Sequence, residues 1–418
     1  MSLIFDGTTH VAEALVVLLR FVDAEWNIKQ FVVRLMLLAK SLTGEEVARQ
    51  IISTLSTELC IPSELLVAAM RDRASVNDVA MRTVSIIYSK VFDIGCFSHT
   101  LDHVGEKFNV PVLKEFTSAW INLFSRSPKN KLAWKTMTGI AVRTFSETRW
   151  WSRWEVMKQA HDLFGDVENF IQTADLSPAA KTKLQHIFNH QSTKSQLMVE
   201  LAVTVDAGEP FVKATYYLEG DGPLVFSCYE KIMELKASVS TAFYPNTTAI
   251  INKLANVNPT LHQQLTDYSK QCVKPGCDYF TNKFEGVLKP VVQLFKAARY
   301  FDPCKLSELK PSCSDIDSLK SFPCLNDSSV INGLKTELPL FVSKAEGTSQ
   351  DISKTDWWKQ HEIELPNWSR ACKMVLLFQP SSAAAERVFS LLQNSFQEQQ
   401  FSALEDYIET SIMLQYNS

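Results

Sequence analysis

The first hundred residues alternate apolar runs, turns and helical stretches in an order that few folds accept. Residues 2–5 form a short apolar run ending at Asp6. Residues 14–21 are a second β-rich run, and residues 31–38 a third, with Val, Leu and Phe throughout. Short turns between such runs predict an antiparallel meander. Thr43-Gly44-Glu45-Glu46 then opens a helix to about residue 59, with Val47, Ile51, Leu55 and Leu59 at four-residue spacing. Residues 65–70 read as a fourth strand that runs into Arg71-Asp72-Arg73. Residues 75–89 read as a helix capped by Ser75, with Asn77 and Asp78 in its first turn. Residues 92–97 read as a fifth strand, closing at Cys96-Phe97-Ser98-His99. The expected order is β-β-β-α-β-α-β, an α/β core.

From about residue 101 to 365 the pattern is mostly helical, with helices expected over 112–125, 154–172, 177–203 and 290–298. Residues 338–346 read as extended, and residues 347–354 as a surface loop. The expected division is therefore 1–100 as the first part of the α/β core, 101–365 as a helical insertion, and 366–418 as a returning C-terminal region.

At 46% hydrophobic residues the chain can bury a substantial core. Its net charge of −4 gives no whole-chain support for nucleic-acid binding, so any such contact must come from a local basic patch. Nine irregularly spaced cysteines fit reduced thiols rather than a disulfide framework. The strongest apolar run, residues 12–22, holds Glu13 and Arg20 and is too short to span a membrane. The expectation is a soluble, intracellular protein without a membrane partner.

The segment Pro380-Ser381-Ser382-Ala383-Ala384-Ala385-Glu386-Arg387-Val388-Phe389-Ser390 opens a late helix. Proline and serine suit its start, and three alanines let another backbone approach closely. A carboxylate on such a helix suits a buried site. The run resembles the C-terminal signature of hAT-family transposases, roughly Ser-Ala-x-x-Glu-Arg-x-Phe-Ser. Phe5-Asp6-Gly7-Thr8-Thr9 resembles the family's first Asp segment, and Asp72-Arg73-Ala74-Ser75-Val76-Asn77 its second. The resemblance implies an RNase H-like core interrupted by a large all-helical insertion and closed by an hAT dimerisation region. It implies Asp6, Asp72 and Glu386 as catalytic and metal-binding residues of a DDE-class transposase, with Mg²⁺ or Mn²⁺ in a two-metal site. Without the resemblance, an Asp after a strand is an ordinary turn residue.

Cys96-Phe97-Ser98-His99-Thr100-Leu101 resembles the family's Cys-x-x-His-x-Leu motif, which places Cys96 and His99 at the active-site surroundings and among the DNA-contacting residues. The sequence departs from the family at Asp102-His103, where Asn-Leu is usual. Cys96 and His99 alone make half a zinc site, and no zinc is predicted. Thr148-Arg149-Trp150-Trp151-Ser152-Arg153-Trp154 resembles the family's Arg-Trp-x-Ser motif. Arg149, Trp150, Ser152 and Arg153 are therefore DNA-binding candidates, with arginines for phosphate and an exposed ring for stacking. The competing reading makes Trp150 and Trp154 core residues at helical spacing. Leu404, Ile408, Ile412 and Leu414 are expected to serve self-association, which the resemblance assigns to this region. The implied partners are terminal-repeat-like DNA and a second copy of the chain, and the implied location is the nucleus. The resemblance also implies a zinc-binding BED-type finger upstream of the first strand and a basic tail after Ser390, and neither is in this sequence. The alternative function is a domesticated, non-catalytic dimerising scaffold.

Overall fold

The computed structural model describes residues 1–8, 13–38, 40–125, 127–143, 149–175, 178–256, 258–395 and 405–418. The chain divides into two compact units. The first comprises residues 1–99, 216–232 and 287–418, and the second residues 100–215 and 233–286. Residues 287–365, read from their helical pattern as part of the insertion, fall in the first unit with the sheet.

In the first unit, β1 (Ser2–Thr8), β2 (Glu13–Val22), β3 (Ile28–Leu38), β4 (Ala68–Met70) and β5 (Phe92–Asp93) form one sheet in the order β3-β2-β1-β4-β5. β1 pairs antiparallel with β2 and parallel with β4. β2–β3 is antiparallel and β4–β5 parallel. The expected meander is present, and β1 and β4 lie side by side. Helices α1 (Gly44–Ile52) and α2 (Ser75–Ile87) fill the two connections. Thr43 and Glu46 form a reciprocal capping box at the start of α1. Ser75 does not cap α2; Ala74 stands at that position, and the first turn is served by Asp72.

The two-residue strand period sorts the side chains by face. Leu3, Phe5, Leu15, Val17 and Leu19 join Val47, Ile51, Ala80, Met81 and Val84 in one core beneath α1 and α2. Ile4 and Asp6 of β1, with Val16, Leu18 and Arg20 of β2, therefore fall on the opposite face. The helix Ala383–Ser395 packs against β1 and β2. Ala383, Ala384 and Ala385 are all buried there, which permits the close approach their size suggested.

β5 is shorter than the sequence suggests. Gly95 turns the chain at φ +70°, and a Cβ there would lie 2.3 Å from the Arg73 guanidinium. The backbone thus leaves the sheet early, and helix α3 (Phe97–Glu106) begins where a strand was expected to end. Residues 338–346, expected extended, lie mostly in the helix Ser328–Ala345, which continues through Pro339. Leu334, Leu338, Phe341 and Ala345 are buried along it, so packing overrides the local β-like composition. The C-terminal helix Glu405–Asn417 runs along edge strand β3. Asn417 accepts from the Val32 amide at 2.8 Å and donates to the Val32 carbonyl at 3.0 Å. Glu409 accepts from the Leu35 amide at 3.2 Å. These side chains occupy the unpaired edge in place of another strand.

The second unit is helical among the described residues. Its helices include Pro111–Ser125, Trp150–Asp162 and most of Gln191–Leu218. Trp120, Phe124, Trp134 and Phe170 pack ring against ring in its core. No described helix is long and apolar enough to cross a membrane.

Candidate metal centre and its surroundings

Asp6 leaves β1 on the face covered by the Ala383–Ser395 helix, and Glu386 lies in that helix's first turn. Residues 380–382 connect that helix start to α3. The Phe97 amide donates to the Pro380 carbonyl at 2.8 Å, and the Ser382 amide approaches the buried Cys96 Sγ at 3.4 Å. Ser381 Oγ accepts from the Ala383 amide at 3.0 Å, which caps the turn. The two helix starts are thereby aligned, and His99 in the first turn of α3 meets Glu386. His99 Nε2 lies 3.5 Å from Glu386 Oε1.

Asp6, His99 and Glu386 each offer a ligand atom, and these atoms all lie within 4.8 Å of one another. The carboxyl of Asp6 is pushed up to about 8, first by burial and then by the charge of Asp72. Glu386 pushes the same way, while His99 and the Gly7 amide, which donates at 2.8 Å, oppose it.

Of Asp6, Asp72 and Glu386, the structure brings Asp6 and Glu386 together, with His99 as the third of the close group. Asp72 Oδ1 accepts from the Ala74 amide at 3.2 Å and from the Asn77 side chain, so it serves the start of α2. Its charge still acts on Asp6. Sequence reasoning placed His99 near the site but did not give it a place beside the carboxylates. The signal was the register of Cys96 and His99, which only the 380–382 contact converts into a distance. Arg71 was not singled out either. It is buried and pairs with Asp78 and Asp93, each at 2.7 Å, and donates to the Asp72 carbonyl at 2.8 Å.

The DNA-binding candidates in the second unit differ from their expected exposure. Arg149 is extended and precedes the Trp150–Asp162 helix, so it does not share a helical face with Arg153. Arg149, Trp150 and Ser152 are buried, and Arg153 is half-buried. Trp150 packs edge to face on Phe108, with centroids 5.7 Å apart, and lies over Gly105, where a Cβ would come within 2.1 Å of the ring. The expectation of an exposed stacking ring is corrected: Trp150 belongs to the core, as does Trp154, whose Nε1 donates to the Thr204 carbonyl at 3.2 Å. Ser152 Oγ donates to the Arg149 carbonyl at 2.7 Å.

Asp102, the position where the sequence departs from the family motif, caps this helix. Its carboxylate accepts from the Trp150 amide at 2.8 Å and the Trp151 amide at 3.2 Å. Burial raises its pKa, against the lowering effect of the Trp150 amide and the Arg149 charge.

Of the self-association candidates, Leu404 lies outside the described residues. Ile408 and Ile412 are buried in the helix that covers β3, and Leu414 is 69% exposed. Ile408 and Ile412, expected to serve self-association, are thus buried within the single chain. Edge strand β3 needs cover, and these residues lie in the helix that supplies it.

No curated protein matches this chain in sequence comparison. Residues 316–418 match the family model of the hAT family C-terminal dimerisation region. That match supports a likeness to hAT-family transposases over the C-terminal region.

Proposed function

We propose that the chain is an RNase H-like catalytic core for metal-dependent DNA strand cleavage and transfer, working in the nucleus on terminal-repeat-like DNA as a self-associating protein. The observation that carries this reading is the convergence of Asp6, His99 and Glu386, from three distant segments, within 4.8 Å. The strand order, antiparallel on one side of β1 and parallel on the other, supports the RNase H-like assignment. Two carboxylates and an imidazole fit a divalent cation such as Mg²⁺ or Mn²⁺. The crowding of negative charge around Asp6 is what such an ion would offset. When bound, the ion supplies activation of an attacking oxygen and stabilisation of a leaving one.

The chain's own contribution is positioning. Asp6 sits on the central strand, and the charge of Asp72, just beyond the neighbouring strand, adds to the negative field on it. Buried alanines seat the helix that bears Glu386. Arg387 donates to the Glu219 carbonyl at 3.0 Å and pairs with Asp221, which restrains the turn bearing Glu386. The test is nicking of candidate terminal-repeat DNA with Mg²⁺ or Mn²⁺ against chelator, with Asp6→Asn and Glu386→Gln alongside. Equal nicking by Asp6→Asn, or by wild type in chelator, would reject the reading. A second reading, a non-catalytic dimerising scaffold, is favoured by the match of residues 316–418 to the dimerisation region. Wild-type dimers without nicking would select it.

A further inference from the structure

His186 and His190 stand four residues apart where two helices of the helical unit meet. The helix Pro178–Asn189 ends at this point, and Gln191–Leu218 begins. Leu184, Ile187 and Phe188 are buried, and Phe188 packs on Phe116 and Phe164 with centroids 6.2 and 5.5 Å away. This packing fixes one face of the first helix. His186 and His190 are both exposed, and their rings lie side by side, with centroids 4.5 Å apart and planes at 54°.

Hydrogen bonding selects the nitrogens. His190 Nδ1 lies 2.8 Å from the His186 carbonyl. A carbonyl oxygen can only accept, so Nδ1 carries the proton, and in the neutral ring Nε2 keeps its lone pair. Metal-ligating histidines are commonly oriented by such a bond from the other ring nitrogen to a backbone carbonyl. The ring nitrogens of His186 make no hydrogen bond among the described residues. Two nitrogens on one ion, each at about 2.0–2.1 Å, lie at most about 4.2 Å apart. Rings already this close need only turn about their side-chain bonds to meet that limit.

The donor set decides the ion. Two imidazoles without a carboxylate favour Zn²⁺, Ni²⁺ or Cu²⁺ over the oxygen-seeking Mg²⁺ and Mn²⁺. Among the described residues no Cys, Asp, Glu or His completes a three-ligand group with the pair. The remaining positions of an ion here are therefore open to water or to a ligand from outside the chain. Of the flanking lysines, Lys194 is paired with Glu168 at 2.5 Å, and Lys183 is exposed to screening solvent.

We infer that His186 and His190 bind one such transition-metal ion, through Nε2 of His190 and a ring nitrogen of His186, and that the ion clips the end of one helix to the start of the next. The His190 carbonyl accepts from the Lys194 amide at 2.9 Å, so the same residue opens the second helix. The inference goes beyond the proposed function and uses none of Asp6, His99 and Glu386.

The test is binding of the untagged full chain to immobilised Ni²⁺–nitrilotriacetate, with hydrogen exchange in dissolved Zn²⁺ as a second readout. Both histidines are exposed, so His186→Gln and His190→Gln should fold, which circular dichroism verifies; His186→Gln also leaves the bond from His190 Nδ1 in place. The second imidazole binds intramolecularly, so wild type should bind at least about tenfold more tightly than either variant. Zn²⁺ should slow exchange of the Lys194 amide about threefold or more in wild type and in neither variant. His99→Ala, and Cys60→Ser with Cys313→Ser at the exposed thiols, should leave Ni²⁺ affinity unchanged. No binding by wild type, equal binding by folded His186→Gln and His190→Gln, or unchanged exchange at Lys194 would overturn the inference. Failure of nicking bears on the proposed function alone, since the two sites share no residue.

Discussion

His99 Nε2 stands 3.5 Å from Glu386 Oε1, and both residues occupy first turns of helices that begin on either side of one backbone contact, Phe97 to Pro380. Glu386 and Asp72 crowd negative charge on the buried Asp6, which is electrostatically expensive unless charge is shared or neutralised, and His99 offsets only part of it. The site therefore carries its own signature in stability, independent of any activity.

The first consequence concerns pH. Burial, then Asp72, raise the Asp6 carboxyl to about 8, so the folded state holds its proton more tightly than the unfolded chain. Its contribution is fully present below the ordinary carboxylate pKa and is lost as pH rises through about 8. Asp6→Asn should match wild type near the acid limit and exceed it at pH 8–9 by about 2–5 kcal/mol. Urea unfolding in chelator across pH 4–9 measures this, and parallel curves for the two proteins would contradict it.

Metal should change that comparison. Excess Mn²⁺ is expected to raise the wild-type melting temperature by a few degrees through mass action. His99→Ala and Glu386→Gln should show a reduced shift. Identical shifts in all three, followed by thermal denaturation, would place metal binding elsewhere.

Arg20 is fully buried on β2, where its guanidinium donates to the carbonyls of Leu376 at 3.2 Å, Gly222 at 3.4 Å and Asp221 at 3.5 Å. Arg20→Leu would leave these acceptors short of donors. A loss of about 2–4 kcal/mol is expected from denaturant unfolding. A cost under about 0.5 kcal/mol would show that water replaces the guanidinium freely.

Replacing Trp150 should cost stability before it costs affinity. Trp150→Ala removes a ring packed on Phe108 and Gly105, and about 3–5 kcal/mol is expected. Gly105→Ala, which drives a methyl into that ring, should also destabilise. Unchanged melting of both variants would return Trp150 to the surface role first expected of it.

At the C-terminus, Ile412→Asp and Leu414→Asp should part company. Ile412 is 0% exposed, so a carboxylate there costs several kcal/mol and undoes the cover over β3. Leu414 is exposed, and its replacement should leave stability within about 0.5 kcal/mol while lowering the mass seen by light scattering if it lies in the dimer contact. A well-folded Ile412→Asp monomer would refute the burial argument.

The sequence by itself determined the order of strands and helices in the first hundred residues, because periods of two and near four are local properties of the chain. Asp6, Asp72 and Glu386 were marked only by the resemblance of their short motifs, whereas the alanine-lined helix start was legible in residue type and spacing. What only the tertiary structure decided are relations between distant segments. The 380–382 contact brings His99 to Glu386, while Asp72 is drawn into the start of α2. Asp102 caps the helix after Arg149, which turns an apparent DNA-facing motif into core. Ile408 and Ile412 lie in the helix that serves an edge strand nearly four hundred residues upstream, a demand that no window around them contains. Local patterns carry periodicity and turn chemistry; burial depends on which surfaces meet, and that is settled by packing the whole chain.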